Sequence, residues 1–146
     1  MATFQRILAA TDFGDASRRA IELATALAGE CGADLTLLHV CEVHGYSQTG
    51  PIPYDLLTPV AEQAQARLDE LLGAVRETCP RARSHVKVGV AWEQILAVAA
   101  ELRADLVVMG THGRRGLSHA LVGSVAEHVV RLSPVAVLTV RARGAG

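Results

Sequence analysis

Residues 105–140 read DLVVMGTHGRRGLSHALVGSVAEHVVRLSPVAVLTV, and this stretch decides the fold. Asp105 to Met109 is a short apolar run stopped by Gly110, the pattern of a buried strand. Glycines at 110, 113, 116 and 123 then make a loop, and an apolar helix runs on to about Leu132. Ser133-Pro134 breaks that helix, and Val135 to Val140 is again a buried strand. Strand, glycine loop, helix and strand in this order call for a parallel pair joined by a crossover.

The same alternation extends to the N-terminus. Arg6 to Thr11 is an apolar strand ending at Asp12, and Asp15 to Gly32 a helix with Ala20, Leu23, Ala24, Leu27 and Ala28 at helical spacing. Asp34 to Cys41 is a second strand. The irregular piece Glu42 to Leu57 carries two prolines and two glycines, long enough for a functional loop. Thr58-Pro59 reads as a helix start, followed by a stripe of Ala61, Ala64, Leu68, Leu71, Leu72 and Val75. Ser84 to Val90 is a third strand, and Trp92 to Arg103 a third helix with Ile95, Val98, Ala99 and Leu102 on one face. The order βαβαβαβαβ predicts an α/β fold with one doubly wound parallel sheet, helices on both faces, and residues 1–146 as one domain ending in a frayed tail at 141–146. Ligands of such sheets bind beyond the carboxyl ends of the strands, which points to Thr11-Asp12, Val40-Cys41 and Met109-Gly110.

Composition narrows the functions. Half of the 146 residues are apolar and the formal net charge is -1, so neither disorder nor a basic nucleic-acid surface is indicated. Aromatic residues make up 3%, too few for base-stacking platforms. No apolar run approaches the roughly 18 residues of a membrane span, and Met1 to Phe4 lead into the first strand without a signal-peptide core. Cys31, Cys41 and Cys79 form no CxxC pair, as expected of reduced thiols in a cytoplasmic protein. The six histidines show no HExxH spacing, and no metal site built by the protein is predicted.

The glycine loop carries the chemistry. Glycine permits positive φ and close approach of a ligand to the backbone, and successive backbone N–H groups form an anion-binding concavity. Ser124-Val-Ala-Glu127 has the S-x-x-E form of a capping box, so a helix is expected to begin at Ser124 with spare N–H groups near Ser124, Val125 and Ala126. Such groups and the helix dipole attract phosphate, and Arg114 and Arg115 add positive charge. The loop has neither the Walker ending Gly-Lys-Ser/Thr nor GxGxxG.

Gly110-x2-Gly113-x9-Gly123-Ser124 resembles the G-x2-G-x9-G-[S/T] motif of ATP-binding universal stress proteins, and the resemblance covers essentially the whole chain. It implies a five-stranded sheet in the order 3-2-1-4-5, similar to the adenine nucleotide alpha-hydrolase architecture. It also implies ATP, with Mg2+, across the ends of strands 1, 2 and 4. Ala10, Thr11 and Asp12 would then contact the nucleoside, Asp12 being the carboxylate at adenine and ribose, and Val40 would meet adenine through its backbone. Gly110, Gly113, Gly123 and Ser124 match the phosphate motif, with Met109, Arg114, Arg115 and Val125 beside it. Many members read Asp-Gly-Ser or Asp-Phe-Ser after the first strand, whereas this chain reads Asp12-Phe13-Gly14-Asp15; Gly14 has no side chain to cap the helix, so Asp15 is expected to do so.

The function implied is a nucleotide-dependent stress-response regulator with at most slow ATP hydrolysis, acting on an unidentified protein partner. Strand 135–140 lies at a sheet edge in the implied order and is nearly all apolar, which predicts a homodimer through that strand. Two alternatives stand beside it. One is an interaction module of the same fold without nucleotide; the other is an adenine-nucleotide hydrolase, although SGGxDS and HIGH signatures do not occur. Ser124 and His128 stand four apart and share a helix face, but a serine engaged on phosphate is not a free nucleophile, and no catalytic residue is assigned.

Overall fold

A computed structural model describes residues 3–42, 54–112 and 123–142. Five parallel strands form one sheet: β1 (Arg6–Ala10), β2 (Asp34–Glu42), β3 (Arg83–Gly89), β4 (Leu106–Gly110) and β5 (Ala136–Val140), in the order β3-β2-β1-β4-β5. The helices are α1 (Asp15–Cys31), α2 (Tyr54–Val75), α3 (Ala91–Leu102) and α4 (Ser124–Leu132). Strand β1 lies at the centre, with Leu8 opposite Thr36 on β2 and Val107 on β4. The chain winds outward from β1 in both directions, so the crevice between the ends of β1 and β4 is the switch point of the sheet.

Alternation along each strand divides the core into two layers. Ile7, Ala9, Leu35, Leu37, Leu106 and Val108 pack with α1 and α2 on one face. Leu8, Ala10, Leu38, Val107 and Met109 pack with α3 and α4 on the other. The buried stripe of α1 is Ala16, Ala20, Ile21, Ala24 and Ala28, small residues that let the helix lie close to the sheet. Leu23, expected in that stripe, is 40% exposed, because it sits roughly 100° round the helix from the stripe's centre and Ile21 takes the apolar position instead. Gly32 ends α1 at φ 66, and its N–H bonds the carbonyl of Ala28.

The largest difference from the sequence reading is at the start of α2. The helix begins at Tyr54 rather than after Thr58, and Pro59 lies inside it. Proline there lacks only the N–H that would reach Asp55, a loss near the helix start that packing of Ala64, Leu68, Leu72 and Val75 outweighs. Strand β2 also runs one residue further, to Glu42. Most of the expected 42–57 loop and of the 141–146 tail lies outside the described residues.

At the opposite end of the sheet, Asp105 ties β1 to β4. Its carboxylate accepts the N–H groups of Gln5 at 2.8 Å and Arg6 at 3.1 Å, and its own N–H bonds the Arg6 carbonyl at 2.9 Å. That clamp sets the register of the two strands whose far ends form the crevice.

Candidate functional site

A cleft of about 540 Å³ opens at the carboxyl ends of β1, β2 and β4, a size usual for small-ligand sites. Ala10, Thr11 and Asp12 enter it from the end of β1, Val40 from β2, Met109 and Gly110 from β4, and Gly123, Ser124 and Val125 from the first turn of α4. Those nine of the twelve residues expected from the sequence line one space. Gly113, Arg114 and Arg115 lie outside the described residues.

The turn after β1 is built around Asp12. Its Oδ1 accepts the Gly14 N–H at 2.8 Å and the Ser17 hydroxyl at 2.8 Å. Ser17 in turn shares a hydrogen bond with the Thr11 hydroxyl at 3.1 Å, and Thr11 Oγ1 accepts the Phe13 N–H at 2.9 Å. Asp15 therefore does not cap α1. Gly14 is the cap residue with no side-chain bond, and Asp15 is exposed, pairing loosely with Arg18 at 3.9 Å. The carboxylate two residues before the cap fixes the turn that leads into the helix, accepting the Gly14 N–H in an Asx turn, without bonding a helix N–H. With Oδ1 so engaged, Oδ2 has no partner among the described residues.

Phe13 follows at φ 67, a left-handed conformation that costs an aromatic residue free energy. The surroundings hold it there. Its ring lies 4.5 Å from that of His39, and the Arg67 guanidinium sits 4.2 Å above it. His39 donates its Nδ1–H to the Thr11 carbonyl at 2.8 Å. Thus β2 and α2 both brace the turn that presents Asp12.

Across the crevice, the end of β4 is fixed by its backbone. Thr111 donates its N–H to the Val140 carbonyl at 2.9 Å and accepts the Gly123 N–H at 2.6 Å. The latter bond closes the base of the glycine loop and places the start of α4 over the cleft. Gly110 has a further reason to be glycine. A Cβ there would stand 2.8 Å from Ala16 Cβ and 2.9 Å from both Ala16 C and Ser17 N, so the first turn of α1 occupies the space a side chain would need.

Helix α4 begins at Ser124 as expected, but the capping box does not form. Gly123 is the cap residue, Ser124 is the first helical residue, and no side-chain cap bond is made. Only a serine one position earlier could fold its hydroxyl back onto the helix N–H groups. Ser124 and Val125 line the cleft, and the first-turn N–H groups of α4 consequently have no side-chain cap. His128 does not pair with the Ser124 hydroxyl. Its Nδ1–H bonds the Ser124 carbonyl at 2.7 Å, and its ring stacks on Trp92 at 5.0 Å.

Sequence reasoning overlooked Ser17, Thr111 and His112. Ser17 lies five residues past Asp12, where the first turn of a helix swings back toward the strand end. Thr111 and His112 fall between two motif glycines, a place that carries a signal only once the loop's closure is seen. Cys41 also lines the cleft; burial pushes its thiol up from the ordinary value, so it is a neutral group at neutral pH. Among the described residues, no three His, Cys, Asp or Glu side chains are grouped to hold a metal ion, and no helix is long and apolar enough to cross a membrane.

Comparison with known proteins follows the same lines. The family model described as Universal stress protein family matches residues 3–141. Universal stress protein A homolog 1 of Coxiella burnetii is 33% identical over 141 residues, covering 94% of this chain and 96% of the relative. Among solved structures, the universal stress protein UspA from Lactobacillus plantarum superposes with a TM-score of 0.85 at 26% identity, covering 97% of this chain and all of that one. A universal stress protein solved in complex with cAMP superposes with a TM-score of 0.68 at 25% identity, covering 94% of this chain and 96% of that one.

Proposed function

This chain belongs to the universal stress protein family, and from that premise we propose that it binds ATP, with Mg2+, in the cleft at the ends of β1, β2 and β4 and acts as a nucleotide-dependent stress-response regulator. The observation that carries the reading is the convergence on one 540 Å³ cleft of a carboxylate, an apolar strand end and a helix N-terminus. Each suits a different part of a nucleotide. Asp12 Oδ2 is the acceptor for adenine or ribose donors. Val40 at the end of β2 is proposed to meet the base through its backbone. The uncapped N–H groups at the start of α4 suit the phosphates, and Arg114 and Arg115, which lie outside the described residues, are proposed to add positive charge there. A related universal stress protein has been solved with cAMP, which supports a nucleotide as the ligand class.

A magnesium ion brought in with the nucleotide would neutralise charge on the phosphates without needing a cage of protein ligands. Hydrolysis is slow in this reading, since His128 is turned onto a backbone carbonyl and no general base is assigned. We further propose a cytoplasmic location, where thiols such as those of Cys31, Cys41 and Cys79 stay reduced.

Calorimetry with magnesium–ATP is expected to give a dissociation constant of micromolar order, about -8 kcal/mol. Nucleotide released on denaturing freshly purified protein should be identified by mass spectrometry as ATP or ADP. A flat titration together with no released nucleotide would sink the nucleotide reading and favour an interaction module of the same fold.

Strand β5 stands at the sheet edge, with Val137 and Leu138 only half-buried and with Val130 and Leu132 exposed on neighbouring α4. A two-fold dimer that pairs β5 with its mate would cover that edge. Sedimentation at micromolar concentration is expected to show a dimer; a monomer there overturns the pairing.

A further inference from the structure

We infer that Arg67 on α2 is a positioning residue for the cleft: its guanidinium, set over the Phe13 ring, holds the left-handed turn that presents Asp12, a role that rests on the nucleotide reading above. Phe13 stands at φ 67, where glycine or asparagine would sit with far less strain. The hydrogen bonds of the turn do not ask for an aromatic residue. Phe13 N–H bonds Thr11 Oγ1 at 2.9 Å and Gly14 N–H bonds Asp12 Oδ1 at 2.8 Å, and both donors belong to the backbone whatever side chain stands at 13. Strain of this kind persists only where the surroundings over-determine it, so the ring is what they grip.

Two elements reach that ring. His39 meets it from β2, with centroids 4.5 Å apart and planes 34° apart. Arg67 meets it from α2, its Cζ 4.2 Å from the centroid and so within cation–π range. Arg67 is exposed beside the buried stripe of Ala64 and Leu68, and no carboxylate pairs with it among the described residues. The cost of a left-handed aromatic residue and the gain from one such contact are of the same order. Arg67 therefore decides how fully the turn is occupied.

The cleft feels this because Asp12 and Phe13 are neighbours in the chain. Asp12 Oδ1 is anchored by the N–H of Gly14 and the hydroxyl of Ser17, both beyond Phe13. If Phe13 left φ 67, the Gly14 N–H would turn away from Oδ1, and Oδ2, the atom assigned to the nucleoside, would lose its aim. Arg67 itself is not among the described residues that line the cleft, so it acts through Phe13 and not by touching the ligand.

The test is calorimetry of the full chain with magnesium–ATP and, separately, with adenosine. Because Arg67 is exposed, its replacement leaves the core intact. Arg67→Met keeps the length and removes the cation; it is expected to weaken both ligands by the same factor, about threefold, the scale of one exposed cation–π contact. Arg67→Lys keeps a cation and should recover most of that loss. In a Phe13→Asn background, which accepts the left-handed conformation without a ring, Arg67→Met should change neither affinity. Hydrogen exchange of the Gly14 N–H in ligand-free protein should run about threefold faster in Arg67→Met and at the wild-type rate in Arg67→Lys. Unchanged affinities in Arg67→Met would overturn the role. So would a loss confined to ATP, which would mark Arg67 as a remote charge acting on phosphate, or an equal loss in the Phe13→Asn background. If the wild type binds neither ligand, the nucleotide reading falls, and Gly14 exchange alone decides whether Arg67 holds the turn; an unchanged rate overturns that too.

Discussion

Gly110→Ala is expected to lower the melting temperature by roughly 6–9 °C and to weaken nucleotide binding together with it. The added methyl meets Ala16 Cβ at 2.8 Å and, more seriously, the backbone at Ala16 C and Ser17 N at 2.9 Å. A flexible side chain would swing aside, but the first turn of α1 has to move as a unit. Overpacking of this kind costs about 1–3 kcal/mol, and the upper end applies where backbone must shift. In a chain near 150 residues each kcal/mol moves the midpoint by about 3 °C. The displaced turn contains Ser17, which holds the Asp12 carboxylate, so the loss of binding follows from the same clash. Thermal melts and calorimetry on one preparation check both parts. A variant melting within a degree of wild type would show that the helix yields freely and that Gly110 is glycine for another reason.

Gly110 also shows what was legible in the sequence and what was not. Its place in a spaced glycine motif is plain in the linear pattern, and the pattern suggested close approach by a ligand. The structure adds a close approach by the chain itself, between residues about a hundred positions apart. Distances of that kind are settled by tertiary packing and leave no local trace. Strands β1, β2 and β4, by contrast, were readable almost to the residue, because each is a short apolar run between turn residues and is covered on both faces. Helix α2 misled through a strong local signal. Thr58-Pro59 is a good helix start in isolation, yet the preceding turn is helical too. Ser124 misled in the opposite sense, since a capping box shifted by one residue looks the same as one in register, and the glycine before it took the cap.

The second large effect is expected at Asp12, where two substitutions separate its roles. Oδ1 is structural: it accepts from Gly14 N–H and the Ser17 hydroxyl, both at 2.8 Å. Oδ2 is the atom assigned to the ligand. Asp12→Asn keeps an oxygen for the first two bonds and replaces the second oxygen by an NH2 group, which inverts donor and acceptor and removes the charge. One lost hydrogen bond to a charged group is about 1.5–3 kcal/mol, and a donor left facing a donor adds to it. Affinity should therefore fall about 30-fold or more, for ATP and adenosine alike, because Asp12 is assigned to the nucleoside. The melting temperature of Asp12→Asn should stay within about 2 °C of wild type, as the Asx turn survives. Asp12→Ala deletes the turn as well and is expected to cost about 1–3 kcal/mol more in stability, because the part-buried Gly14 N–H and Ser17 hydroxyl lose their acceptor. If Asp12→Asn binds both ligands at wild-type strength, the carboxylate serves the fold only. The nucleoside would then have to be held by the backbone of β1 and β2 without it.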